Sequence, residues 1–370
     1  FQRMDVPKKM AILGDMRELG DVSMAESIIT DIRPTSLAEY ESLIGDKDVA
    51  RKTFLHTIRD YMPFFDQAVI IPGNDGMGDK GQLVTSYPEG ELHGYNEGWR
   101  SENVVGQNMR YTCQRRSSSS SIDKDQYDDQ PEKDRASWRL RRDQAFARGF
   151  ARATVRDIFY GNPATNPNSC KGLFEIVKPG DEVFGDRCID AGGTTDGKMT
   201  DIVLVGWDPA FNYLFYPQFS PNGAGFHQEI HKEPVRVSKT VDGIARHYYA
   251  LETDFRWDIG VAIYDPLTVV RICNVDTTKL SKSSKTAGSP DLIDLFTQAV
   301  NMLPDQYKGR CAFYCNETIT GVLRRQINNK DNMLLNIGEV AGRKVTAWDG
   351  IPIHKLGTDV IMNTGAKLNF

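Results

Sequence analysis

The sequence predicts an α+β protein, and three observations carry that prediction: a long helical run from about residue 131 to 160, a β-rich stretch from Ile202 to Asp276, and a section from about 285 to 357 in which helix and strand alternate. With 370 residues the chain can form two or three compact units, or one core with long extensions. Apolar residues at 40%, charged residues at 26% and 32 glycines describe a globular chain rich in turns. A net charge of −5 gives no global positive field, which argues against duplex nucleic acid or an anionic membrane as a partner. No apolar run approaches the length of about 18 residues that suggests a membrane span, and the start, Phe1 to Lys9, lacks the apolar centre of a signal peptide. A soluble chain made in a cytoplasm is expected.

Taken in order, residues 1–34 show no clear period beyond a weak amphipathic stretch, Met24-Ala-Glu-Ser-Ile-Ile, and predict an extended arm or one short helix. Ser36-Leu-Ala-Glu39 has the form of a capping box, with Leu37, Tyr40, Leu43 and Ile44 at helical spacing behind it. A second amphipathic segment runs from about Asp48 through Phe54, Leu55 and Ile58 to Pro63. From Gly73 to about Arg110 glycines divide the chain into short pieces, a stretch too long for an ordinary connector, so something outside the subunit should order it. Five consecutive serines, Ser117 to Ser121, then read by composition alone as a disordered linker.

The run from Pro131 to Tyr160 has Pro at its first turn, no interior Pro and a stop at Gly161. Phe146, Phe150, Thr154 and Ile158 recur four apart, with Ala147 and Ala151 beside them and arginines over much of the remainder. Such a helix reaches roughly 45 Å, more than a compact domain of this size usually needs. Between Ile202 and Asp276, short runs such as Ile202-Val-Leu-Val, Tyr213-Leu-Phe-Tyr and Val235-Arg-Val-Ser follow one another closely, which favours antiparallel pairing. In the closing section Ser289-Pro290 is the expected cap of a helix lined by Leu292, Leu295, Phe296, Ala299, Met302 and Leu303 and stopped by Pro304. Cys311 to Cys315 reads as a buried strand, Asn316 as the cap of a second helix, and Ile351-Pro-Ile-His as a further strand.

The residue patterns hold no catalytic motif. Six scattered cysteines suit reduced thiols, and the Cys311/Cys315 spacing does not suit zinc. His227-Gln-Glu-Ile-His231 has its glutamate one place late for a zinc protease helix and reads as a polar loop. Gly73-Asn-Asp-Gly-Met-Gly-Asp-Lys80 misplaces the lysine of a phosphate loop and lacks the hydroxyl residue after it. No Gly-x-Ser-x-Gly elbow occurs, and no cofactor or metal is implied.

Several segments together resemble the major capsid proteins of tailed bacteriophages of the short-tailed type: Ile122-Asp-Lys-Asp, Ile158-Phe-Tyr-Gly-Asn, Cys170-Lys-Gly-Leu-Phe, Ile189-Asp-Ala-Gly-Gly-Thr-Thr, Val269-Val-Arg-Ile-Cys-Asn-Val-Asp, Ala312-Phe-Tyr-Cys-Asn and Gly350-Ile-Pro-Ile. Their order and spacing from about residue 36 to the C-terminus carry the likeness. The resemblance implies a Hong Kong 97-type fold: an N-terminal arm (1–72), an extended loop (73–125), a peripheral domain (126–284, with a spine helix at 131–160 and the β-rich block at 202–276), an axial domain (285–357) and a C-terminal segment (358–370). Arg115 to Ile122 would be the strand returning from the loop. The β-rich block preceding the helix-and-strand block suggests a rearranged chain order.

The resemblance further implies a structural protein of the virion, not an enzyme, which self-assembles into an icosahedral head around double-stranded DNA without reading its sequence. Its partners would be copies of itself in pentamers and hexamers, with scaffold, portal and cement proteins as further candidates. Leu83, Val84, Tyr87, Leu92, Tyr95 and Trp99, apolar residues in a loop with no evident core, are the expected contacts between subunits. Two alternatives stand beside this reading: an encapsulin-like compartment, and a hydrolase built on the α/β unit.

Overall fold

The computed structural model describes residues 36–44, 49–86, 88–103, 105–220, 223–241, 244–280, 289–328, 335–340 and 343–370. The expected arm helix around Met24 lies outside them. Helix α1 (Leu37–Leu43) opens with the expected capping box: Glu39 N donates to Ser36 Oγ at 3.2 Å, and Ser36 N donates back to Glu39 Oε2 at 3.3 Å. It buries Leu37 and Tyr40. Helix α2 (Val49–Tyr61) buries Phe54, Leu55 and Ile58, and the Phe54 ring stacks on Phe226 and Phe255 at 4.6 and 4.7 Å. Residues 36–72 thus belong largely to the packed body, which corrects the expectation of an arm extending to 72. The cause is the apolar stripe of α2, which finds aromatic partners some 170 to 200 positions away.

Strand β1 (Ile70–Pro72) leads into a hairpin of β2 (Gly78–Ser86) and β3 (Val105–Thr112). The serine run is a strand, β4 (Gln114–Asp123), but it is not the returning strand of that hairpin, as had been expected; β3 is. β4 continues into the body, where it pairs residue by residue with a later strand and alternates buried and exposed positions, with Ser120 and Ile122 inward. Backbone pairing overrides the linker-like composition, because the ladder satisfies the peptide groups that serine side chains would otherwise compete for.

After the short α3 (Lys124–Asp128), helix α4 (Glu132–Tyr160) runs for 29 residues. Ala147, Phe150, Ala151, Thr154, Val155, Ile158 and Phe159 are buried in its C-terminal half, whereas Phe146 stays 37% exposed and Asp143 is the one buried residue nearer the N-terminus. The helix ends at Gly161, where a Cβ would overlap the Cys170 carbonyl.

A one-turn helix, α5 (Leu173–Ile176), and the strands β5 (Cys188–Asp190), β6 (Met199–Gly206), β7 (Asn212–Tyr216), β8 (Phe226–Ile230), β9 (Val235–Val241), β10 (Ile244–Ile263) and β11 (Val269–Asp276) follow. Then come α6 (Leu292–Asn301), β12 (Cys311–Asn316), α7 (Glu317–Asn328), β13 (Leu335–Val340), β14 (Arg343–Trp348) and β15 (Ile351–Leu356). Asn316 Oδ1 accepts from Ile319 N at 3.0 Å, as its capping role predicts. Asp291, not Ser289, caps α6, accepting from the amides of Ile293 and Asp294. The His227 to His231 segment lies in and just after β8, a strand where a polar loop had been expected.

The β-rich stretch does not form one block. β1, β7, β10 and β4 make one sheet in that order, with β8 and β9 also on β10. β6 and β11 instead sit in a second sheet, ordered β13-β14-β15-β12-β6-β11-β5, which mixes strands from the middle and end of the chain. This corrects the unit drawn at 285–357: β7 to β10 are an excursion between two neighbouring strands of one sheet. Periodicity could not show it, since β6 and β11 are buried along nearly their whole length and look like any other apolar run.

The second sheet is covered on both faces. Ile202, Leu204, Val270 and Ile272 face α6 and α7, packing with Leu292, Phe296, Ile319 and Leu323. Val203, Val205, Val269, Ala312 and Tyr314 face the opposite way, into the core that also holds α2, α4 and the first sheet. There the Tyr314 hydroxyl accepts a 2.8 Å bond from Trp207 Nε1, and Phe64 packs on both rings.

The projecting hairpin, a candidate assembly site

The β2–β3 hairpin is rooted by a buried carboxylate. Asp79, 2% exposed, accepts hydrogen bonds on Oδ2 from the hydroxyls of Tyr213 and Tyr264 at 2.8 and 2.7 Å, and on Oδ1 from Asn74 N at 3.2 Å. Burial first, and then donation to the Asp79 carboxylate, push both phenols above their ordinary range. Both therefore stay protonated and keep donating. From the other strand, the Tyr111 hydroxyl donates to the Ile263 carbonyl at 2.8 Å. Gly81 lets the hairpin backbone lie against the Tyr264 ring, where any Cβ would overlap. On the outside, Asp75 bridges Lys80 and Arg110 at 2.9 and 2.7 Å, and these partners hold its carboxyl below the usual range.

Above this root the strands pair from Gly78↔Thr112 to Ser86↔Val105, with a slip in register between Val84 and Ser86. Leu83 is 1% exposed and part of the subunit's own core, which removes it from the expected inter-subunit contacts. It pairs with Gln107 toward the upper end of the paired strands, and its side chain is turned toward the body. Val84 is in β2, opposite Gly106. Tyr87 lies outside the described residues.

The tip behaves as the glycine pattern predicts. Every residue from 88 to 103 is exposed, and Leu92 and Tyr95 are as open as in an extended chain, at 102% and 100%, with Trp99 at 75%. Gly90, Asn96 and Gly98 take positive φ, turning the chain sharply. A few local contacts shape it: Glu97 accepts from Gly94 N at 2.8 Å, Glu102 from Arg100 at 3.1 Å, and the His93 and Trp99 rings meet edge to face at 5.2 Å. Four glutamates, Glu89, Glu91, Glu97 and Glu102, stand against one cation, Arg100. This geometry suits contact, not bond chemistry.

Sequence reasoning missed the root, because Asp79, Tyr213 and Tyr264 are unremarkable until the fold brings them together. No group of three or more His, Cys, Asp or Glu side chains suited to a metal occurs among the described residues. His227 and His231 have separate partners, Ser220 at 3.1 Å and Asp254 at 3.0 Å. Among the described residues no helix is long and apolar enough to cross a membrane.

A family model described as major capsid protein GP7 matches residues 46–369. The chain belongs to the GP7 family of major capsid proteins. Among solved structures, that of bacteriophage Epsilon15 is 24% identical, covers 82% of this chain and 86% of its own, and superposes with a TM-score of 0.55. The capsid of bacteriophage JBD30 is 7% identical over 79% of this chain and 89% of its own, with a TM-score of 0.46. No curated protein sequence matches. This capsid protein therefore has an α+β fold of the Hong Kong 97 type and self-assembles into the icosahedral head of a tailed phage. Its role is structural, not catalytic.

Proposed function

We propose that the hairpin at residues 73–112 serves this capsid protein as an assembly arm whose tip, with Leu92, Tyr95 and Trp99, lies across an adjacent copy. One observation carries the reading: the tip holds three large apolar side chains and is exposed throughout in the single chain. Covering such side chains contributes roughly 1.5–3 kcal/mol each, and a stable interface needs on the order of 1,200–2,000 Å². A projecting hairpin supplies that area with few residues, while the buried root at Asp79 fixes where it points.

On this reading α4 is the spine helix of a peripheral unit built around the first sheet, and the seven-stranded sheet with α6 and α7 is the axial unit. Residues 358–370 close against the axial sheet, where Gly365 bridges Met199 and Leu368 bonds Asn274. Copies gather as pentamers and hexamers in the virion, after synthesis in the host cytoplasm. Scaffold, portal and cement proteins are the further partners such a shell calls for. The net charge of −5 suits a wall that encloses double-stranded DNA without gripping its phosphates.

The test is the triple change Leu92→Ser, Tyr95→Ser and Trp99→Ser. All three side chains are exposed, so the monomer should keep its circular dichroism and thermal midpoint while particle formation, followed by sedimentation and negative-stain microscopy, is lost. Particles of normal yield and stability from the triple variant would sink the reading.

A further inference from the structure

The described residues carry a second projection. From Ala250 onward β10 is flanked by β4, and from Thr253 also by β8, but its outer end pairs only with β9, from Val241↔Ile244 to Val235↔Ala250. A two-stranded ribbon is marginal in water by itself. This one exposes apolar side chains on both faces: Tyr249, 57% exposed, beside Arg236 on one, and Val235, 39% exposed, on the other. Four exposed cations, Lys232, Arg236, Lys239 and Arg246, stand on or beside it, and the sequence from 232 to 249 has two acidic residues, Glu233 and Asp242. The hairpin tip has the opposite balance, with four glutamates and one arginine.

We infer that the β9–β10 ribbon of one copy is the receptor for the acidic, aromatic tip at 88–103 of a neighbouring copy. The inference rests on the reading that the tip lies on another copy, and it names the surface that takes it. Both partners expose aromatic and aliphatic side chains that lack cover in the single chain. Their charges then sort the ways in which these two projections can meet. Tip on tip sets glutamates against glutamates, and ribbon on ribbon sets cations against cations, so only tip on ribbon brings opposite charges together. That contact is heterologous, a patch of one subunit on a different patch of the next, which is the kind that propagates around a closed ring. Single exposed ion pairs contribute little. The charges therefore set partner and register, while covering Leu92, Tyr95, Trp99 and Tyr249, on the ribbon face that also carries Arg236, holds the contact closed.

Charge reversal tests this on the full chain. Glu89→Lys with Glu91→Lys on the tip, and Arg236→Glu with Lys239→Glu on the ribbon, should each lower particle yield by about tenfold at moderate salt. All four reversals in one chain should restore assembly. A ribbon reversal that assembles like the parent, or a fourfold variant that stays unassembled, overturns the inference. If the ribbon reversal assembles normally while the triple serine variant of the tip does not, the tip still lies on another copy and its receptor is elsewhere. The groove between α4 and β4, lined by Phe146, Gly149, Phe150 and Ala153, would be the next place to look. Should a reversal prevent folding, Tyr95→Cys with Tyr249→Cys decides: a short bis-maleimide should link separate copies into ladders in assembled particles, beyond the background of the parent chain. No such ladder also overturns the inference.

Discussion

The Tyr264 hydroxyl donates to the Asp79 carboxylate at 2.7 Å across 185 positions of sequence, and this contact fixes the projecting hairpin to the body. Tyr213 donates to the same oxygen, so one buried carboxylate ties the hairpin to β7 and to the residue that follows β10. The proposed contact with another subunit needs a root that does not swing, and buried, fully partnered polar groups supply it.

Asp79→Ala leaves two buried phenol hydroxyls without their acceptor. An unsatisfied buried group costs about 1–3 kcal/mol, so the variant should lose about 2–5 kcal/mol of unfolding free energy in urea. Asp79→Asn keeps one acceptor oxygen and should fall between variant and parent. Limited proteolysis of the monomer should cut the Asp79→Ala hairpin faster between residues 73 and 112. Equal cleavage rates would show that the root does not hold the arm.

Thiol labelling should single out Cys188. The hydrogen bond with the Cys273 thiol, followed by the nearby Arg271 guanidinium, holds it below the ordinary thiol value. Burial pushes Cys170, Cys311 and Cys315 up to about 12, and it also raises Cys113; Cys273 is raised first by its bond to Cys188 and then by burial. Since the thiolate is the reactive form, one fast phase with a disulfide reagent is expected, and Cys188→Ser should abolish it. A fast phase that survives in that variant assigns the reactivity elsewhere.

The pair of His231 and Asp254, 3.0 Å apart at the foot of the ribbon, gives a pH dependence of known sign. Its hydrogen bond to Asp254 raises His231 above 6.5, and the bond from His231, followed by that from Ser119, lowers Asp254 below 3.8. His231 contributes fully below 6.5 and loses its share as pH rises through its raised value; Asp254 contributes above 3.8 and loses its share as pH falls through its lowered one. The pair therefore supports the fold most between about 4 and 6.5. An NMR titration should place the His231 midpoint above 6.5, and Asp254→Asn should bring it down. A midpoint that ignores Asp254→Asn would contradict the pairing.

Local signals were legible wherever a short-range interaction decides the structure. The Ser36–Glu39 capping box, the Asn316 cap and the run from Pro131 to Gly161 depend on residues within a few positions or on a 3.6-residue period, and all three stand in the fold. The open tip was legible too, because closely spaced glycines around isolated aromatics offer no core. Leu83 was misread, since nothing in Gln82-Leu-Val tells which side of a hairpin stem faces the body.

By itself the sequence determined the long helix, the existence of most strands and the exposed loop, because propensity, caps and periodicity act within a turn or two of the chain. Only the tertiary structure decided which strands share a sheet, that the serines of β4 pair with β10, and that Asp79 meets Tyr213 and Tyr264. Those outcomes depend on hydrogen bonds and packing between residues from tens to nearly two hundred positions apart, where many partners of similar character compete and only simultaneous burial of all of them selects one.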